Sequence, residues 1–187
     1  AFASMSHVGL IAAAIMVWDF DALSGSMVQI VNHGLVAVGL FLAVEIIERR
    51  TGTRNLNDLG GFAKQAPKFA FWFAALAFAS VSVPLTSGFI GEFLMLKGLV
   101  QFDMIIGIIA GTTLILGAVY TFRAYQLSMY GPVTRDQFAD LHWSELLVLA
   151  VIIIAVVILG VYPALITDFV NPSLKIVLET VSTPSGL

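Results

Sequence analysis

Cysteine is absent from all 187 residues. That excludes disulfides and cysteine-ligated iron–sulfur clusters from this chain. Charge is scarce as well. Asp, Glu, Lys and Arg together make up 11% of the residues, against about a quarter in an ordinary soluble domain. The net charge of −3 is small, and no basic patch points to nucleic acid. There is no phosphate-binding glycine loop, no metal-ligand cluster and no nucleophile triad. The N-terminus has neither Met nor a basic stretch ahead of its first apolar run, so it reads as part of a longer chain rather than as a secretory signal. What the sequence does have is apolar residues, at 59%. That places it in the membrane class.

Five runs carry no Asp, Glu, Lys or Arg: 1–18 (segment A), 22–44 (B), 69–91 (C), 104–122 (D) and 146–167 (E). A bilayer core of about 30 Å takes roughly 20 helical residues, so each run is close to spanning length. Barrel strands would be shorter and would alternate in polarity, which these runs do not. The expected fold is an all-α membrane protein, a single polytopic bundle of about five transmembrane helices with one discontinuous. The predicted spans are 1–18, 25–48, 69–100, 104–128 and 144–168. Trp18, Trp72, Trp143 and Tyr162 lie near their ends, as aromatic belts do. Leu174, Val177, Leu178 and Val181 recur at helical spacing, so 171–187 reads as an interfacial amphipathic tail. Gly107 and Gly111 form a GxxxG pair suited to close helix packing.

The loops set the orientation. Arg49, Arg50, Arg54, Lys64 and Lys68 lie between B and C, and Arg123 and Arg135 flank the D–E connection. The A–B loop has Asp19 and Asp21 and no basic residue. By the positive-inside rule, loop 49–68 is cytoplasmic and the C-terminus lies on the opposite side, as in a bacterial inner (plasma) membrane.

Segment C is too long for one straight span. Phe69 to Val100 would make a helix of about 48 Å at 1.5 Å per residue. Pro84 sits near its middle, where it removes a backbone donor and clashes with the preceding turn. The predicted break covers Val83, Pro84, Leu85, Thr86, Ser87 and Gly88, with Thr86 and Ser87 able to satisfy freed backbone groups. Broken membrane helices are tolerated where protein or water covers them, and in transporters they build ion sites. The structural alternative is a plain proline kink in a tilted helix.

Four ionisable side chains within or near these spans are candidates for a site, whereas Glu45 and Arg123 lie near the cytoplasmic ends of B and D, where snorkelling or interfacial pairing is the default. Glu92 lies just past the break. A carboxylate at membrane depth costs about 3 kcal/mol or more and usually marks a site that handles protons or ions. Its bland alternative is a structural pair with Lys97 at i+5, a poor same-face spacing. Gln29, Asn32 and His33 form a polar stripe at i, i+3 and i+4 on B, which should face protein or a water-filled path. Histidine passes protons through two ring nitrogens, although a helix-packing hydrogen bond would also account for His33. His7, with Ser4 one turn earlier, extends the path or is simply a buried histidine. Lys97, near the outer end of C, is a candidate exit group or a snorkelling side chain. Side chains of A, B and C are not expected to touch directly, so water must bridge a path running from His7 to His33 to Glu92.

Three stretches carry a resemblance: "ASMSHVGL", "VNHGLVAVGLFLAVEIIERRTGTRNLNDLGG" and "VPLTSGFIGEF". In this order they resemble the antiporter-like membrane subunits of respiratory complex I, the proton-translocating NADH:quinone oxidoreductase, of the chain M type. The resemblance covers nearly the whole chain and corresponds to the C-terminal part of such a subunit. It implies that A to E are the last five spans, with C a discontinuous helix. It assigns proton transfer to His7, His33 and Glu92, with other membrane subunits as partners. NADH, FMN, iron–sulfur clusters and quinone are then expected in other subunits, with no redox centre, metal or catalytic nucleophile here. Many related antiporter subunits have lysine where this chain has Glu92. Two positions depart from the pattern. Leu85 stands where glycine commonly follows the helix-breaking proline, which would make the break less open, and Lys97 lies outside the motif.

The sequence thus supports a proton-translocating subunit of complex I, an enzyme subunit that couples electron transfer elsewhere to pumping. The alternatives are a Mrp-type cation/proton antiporter or membrane-bound hydrogenase subunit of the same superfamily, or a bundle whose buried polar groups only hold helices together.

Overall fold

The computed structural model describes residues 2–133 and 138–182, and among these every regular element is helical. The order is α1 (Phe2–Met16), α2 (Phe20–Thr51), α3 (Phe62–Gln65), α4 (Pro67–Ser80), α5 (Ser87–Phe102), α6 (Met104–Met129), α7 (Trp143–Val161) and α8 (Ala164–Ser182). Three of them, α2, α6 and α7, are individually long and apolar enough to cross a membrane, and α1 and α4 are shorter apolar helices.

Local chemistry sets the ends. The Asp19 carboxylate accepts from the amide of Ala22 at 2.9 Å and starts α2; Gly52, at φ 74°, closes it in the left-handed conformation that glycine adopts without cost. Asp103 caps α6 by accepting from Ile105 and Ile106. Pro67 occupies the first turn of α4, where its missing N–H costs nothing. Asp140, from the connection before α7, accepts from the amides of Lys68 and Phe69 and so caps α4 from a distance.

Two boundaries differ from expectation by more than a turn of helix. Helix α2 starts at Phe20 rather than near residue 25 and runs on to Thr51. The last helix stops at Val161 instead of continuing to 168, and α8 begins at Ala164. Pro163 explains the second: the residue before a proline is pushed out of the helical region. Helix α8 returns along the start of α2, where Ser24 Oγ donates to Asn171 Oδ1 at 2.9 Å and Lys175 lies over the Phe20 ring. Leu174 is buried, while Val177 and Val181 are exposed.

Segment C is broken. Helix α4 ends at Ser80 and α5 begins at Ser87, so the break spans 81–86 rather than 83–88, and Ser87 and Gly88 already belong to α5. Between them Ser82 and Leu85 take positive φ values of 56° and 79°. Thr86 Oγ1 donates to the Val83 carbonyl at 2.7 Å, satisfying one freed group. Ser87 does otherwise: its hydroxyl donates to the Asn32 side chain. Leu85 does not close the break. It holds the left-handed conformation that favours glycine and is 70% exposed.

Helix α5 is the centre of the bundle, packed by α1, α2, α6 and α7. Small residues let it come close. A Cβ on Gly25 of α2 would lie 2.7 Å from the Gly91 carbonyl oxygen, and one on Gly160 of α7 would lie 2.4 Å from the Leu85 carbonyl oxygen in the break. The GxxxG pair is only half used: a Cβ on Gly107 would strike Val100 of α5, whereas nothing comes within 4 Å of Gly111. An aromatic and aliphatic core of Phe62, Phe69, Phe73, Leu76, Met129 and Leu149 fills the end carrying loop 49–68. There the Glu145 carboxylate of α7 takes Arg49 and Arg50 together, with Arg50 at 2.6 Å.

Candidate functional site

Glu92 lies on the second turn of α5 and is 5% exposed. The close approach of α2 at Gly25 and Gly91 brings Gln29 to it. Gln29 Nε2 donates to Glu92 Oε1 at 3.1 Å. From the other side α1 supplies His7, whose Nδ1 is 3.1 Å from the same oxygen and 3.4 Å from Gln29 Nε2. Side chains of α1, α2 and α5 therefore touch directly, contrary to the expectation that water separates them. The physical reason is glycine: without side chains at 25 and 91, the backbones approach closely enough for short polar side chains to meet.

The polar line continues along α2. Asn32 Nδ2 donates to Gln29 Oε1 at 3.4 Å, and Ser87 Oγ at the start of α5 donates to Asn32 Oδ1 at 2.8 Å. Gly88 keeps the space open, since a Cβ there would lie 2.7 Å from Asn32 Nδ2. His33 lies beside His7, with ring centroids 5.5 Å apart and the ring planes tilted by 41°. The order in space is thus His33, His7, Glu92, rather than His7 first. A cavity of about 130 Å³ between α1 and α2 is lined by Ser4, His7, Gln29, Asn32, His33 and Ser80, among others. It has room for several waters and the polar partners that ordered water needs.

Chemically, the cluster suits one mobile proton. Gln29 Nε2 donates to Glu92 Oε1 and lies 3.4 Å from His7 Nδ1, so its amide can turn a donor toward either. Whichever of the two acceptors lacks the proton is offered a donor, so both protonation states are satisfied. Among the described residues no group of His, Cys, Asp and Glu could hold a metal.

Lys97 does not join this cluster. Its Nζ is 2.5 Å from Asp21 Oδ2 at the start of α2, which disposes of the i+5 pairing with Glu92. The sequence reading also missed residues on the far side of Glu92. Ser6, Ser80, Thr113 and Tyr120 line a second, water-sized cavity there with His7 and Glu92. The available signal was the i, i+4, i+7 spacing of Thr113, Gly117 and Tyr120 on an otherwise apolar helix.

The sequence and the fold have known counterparts. The family described as "NADH:quinone oxidoreductase/Mrp antiporter, TM" matches residues 1–117. The NADH-quinone oxidoreductase subunit M of Mycobacterium tuberculosis is 37% identical over 183 residues, covering 97% of this chain and 33% of that protein. That of Rhodobacter capsulatus is 30% identical over 189 residues, covering 100% of this chain and 37% of the relative. The chain thus spans about a third of the length of the curated relatives it matches. Among solved structures, a chain of respiratory complex I from Thermus thermophilus with bound NADH superposes with a TM-score of 0.90 at 26% identity, over 97% of this chain and 39% of that one. A chain of the Mrp complex from Dietzia sp. superposes with a TM-score of 0.82 at 19% identity, over 93% of this chain and 41% of that one, a likeness of fold alone. An all-α membrane bundle with a broken helix, matched by the family model over more than half of its length, the chain belongs to the NADH:quinone oxidoreductase/Mrp antiporter family of membrane subunits.

Proposed function

We propose that this chain is the C-terminal part of a proton-translocating membrane subunit of an NADH:quinone oxidoreductase. NADH oxidation and quinone reduction, with FMN and iron–sulfur clusters, take place in neighbouring subunits, and this part moves the proton. The observation that carries the reading is the 3.1 Å contact between His7 Nδ1 and Glu92 Oε1 at the helix break. A proton reaching His33 from the hydrated cavity passes through water to His7 and then directly to Glu92. Charge displaced elsewhere in the subunit decides whether Glu92 holds or releases it. Lys97, paired with Asp21, stands at the end of α5 away from the break, where released protons would leave. The membrane is the bacterial inner membrane, with loop 49–68 cytoplasmic. An impermeant thiol reagent should leave a cysteine at Asn57 unlabelled from outside intact cells; labelling from outside would reverse the orientation.

The main test is Glu92→Gln in the intact complex, with proton uptake into membrane vesicles measured beside NADH oxidation. Shape is kept, so the complex should assemble, while pumping should stop and coupled oxidation slow. Glu92→Asp should retain part of both. Normal assembly with the parental proton-to-electron ratio in Glu92→Gln would remove Glu92 from the path.

A further inference from the structure

We infer that Tyr120 is a positioning residue, holding one ordered water against Glu92 on the side facing α6. The small cavity beyond Glu92 has a volume of about 10 Å³, which is about the space one water requires. It lies between α1, the end of α4, α5 and α6. The Tyr120 hydroxyl is buried and has no hydrogen-bond partner among the described residues. The ring runs back along α6, so that a Cβ on Gly117 would be 3.5 Å from its oxygen. A buried hydroxyl left unpaired is costly, and such groups are usually met by ordered water.

The other walls supply the rest of the coordination. Both described contacts of the Glu92 carboxylate end on Oε1. The water is assigned to the other oxygen. Thr113 Oγ1 donates its proton to the Ala110 carbonyl at 2.6 Å, which leaves its lone pairs as acceptors. Tyr120 donates to the water, and the water donates to Glu92 and to Thr113 or a neighbouring serine. That gives three hydrogen bonds, the usual number for a buried water. Tyr120 keeps its own proton throughout; its work is to aim a water O–H at the carboxylate. His7 and Ser80 border both cavities. Glu92 lines only the second cavity, so it exchanges its proton with the water there directly and with the first cavity through His7.

This inference rests on the proton-transfer reading of Glu92, and the test separates the two. Infrared difference spectra of the intact complex would be recorded, with the Glu92 carboxyl bands identified as those that Glu92→Gln removes. In Tyr120→Phe the ring stays and the hydroxyl goes, so those bands should shift as the water loosens. Proton transfer to Glu92 should slow about tenfold, as loss of one hydrogen bond allows. Rescue is built into the geometry. Gly117 lines the same cavity, and a Cβ there meets only ordinary contacts, so Gly117→Ser in the Tyr120→Phe background should return the bands toward the parental position, while Gly117→Ala should not. Electron cryomicroscopy of the parental complex should show a water between the Tyr120 hydroxyl and Glu92. Unshifted Glu92 bands in Tyr120→Phe, or no density there while neighbouring buried waters are resolved, would overturn the inference. Parental pumping in Glu92→Gln would instead defeat the functional reading and leave the water site to be judged on the spectra alone.

Discussion

Gly25→Ala adds a single methyl group and should disable the site without touching any of its polar residues. The new Cβ would lie 2.7 Å from the Gly91 carbonyl oxygen, 2.7 Å from Leu94 Cβ and 2.8 Å from the Met95 amide nitrogen. Two of these are backbone atoms of α5 and cannot rotate away. Ordinary contact begins about 0.7 Å further out, so α2 and α5 must separate by roughly that distance. Gln29 is one turn along α2 from the new methyl. Its 3.1 Å bond to Glu92 would stretch to about 3.8 Å, beyond hydrogen-bond range. Overpacking should cost about 1–3 kcal/mol of stability, partly offset by about 1 kcal/mol from the better helix propensity of alanine. A hydrogen bond to a charged group contributes roughly 1.5 kcal/mol or more, so its loss should slow NADH-driven proton uptake about tenfold. The assay compares uptake and thermal inactivation of the intact complex with those of Gly34→Ala. A Cβ at Gly34 of the same helix meets nothing within 4 Å, so that variant should match the parent or gain slightly. Equal pumping and stability in the two variants would refute the claim that close approach at Gly25 holds Gln29 against Glu92.

Glu145→Gln should lower stability by about 2 kcal/mol, because the Arg50 side chain, only 12% exposed, loses its anionic partner. Arg49→Ala, at a side chain 55% exposed, should cost less than about 1 kcal/mol. Comparable thermal inactivation of the two would contradict this ranking. Leu85→Gly should stabilise by roughly 0.5 kcal/mol: relief of the left-handed strain outweighs the added chain entropy, and little packing is lost at an exposed side chain. A lower inactivation temperature would count against it.

The break in segment C was legible because Pro84 is a covalent fact with a local effect, and length required an interruption. The stripe of Gln29, Asn32 and His33 was legible because helical periodicity fixes which residues share a face. The direct contact of His7 with Glu92 was not. It depends on how closely α1, α2 and α5 approach, which glycines on paired helices decide only after the pairing is known. Gln29 therefore looked like a lesser member of the stripe, although its amide links both acceptors. The end of the last span at Val161 had a signal in Pro163, overridden in the reading by the apolar residues beyond it. Tyr120 was hidden by chemistry of another kind. A tyrosine in a membrane helix is ordinarily amphipathic filler, and only a cavity beside its hydroxyl distinguishes it.

Gly160 gives the helix break a mechanical character. With no side chain at that position, α7 seats directly against the Leu85 carbonyl and the Ser87 amide, closer than any Cβ would permit. A gap in a helix is usually imagined as a hinge, but a hinge needs clearance on the side toward which it folds. Here that clearance is occupied by the backbone of a neighbour. The joint between α4 and α5 is wedged shut in this direction, so bending there would have to carry α7 along. Rearrangement at Glu92 is then left to side chains rather than helices, the His7 ring and the Gln29 amide above all. If protons pass here, as proposed, they do so along a fixed seam, and changes in charge rather than leverage between helices set the direction of flow.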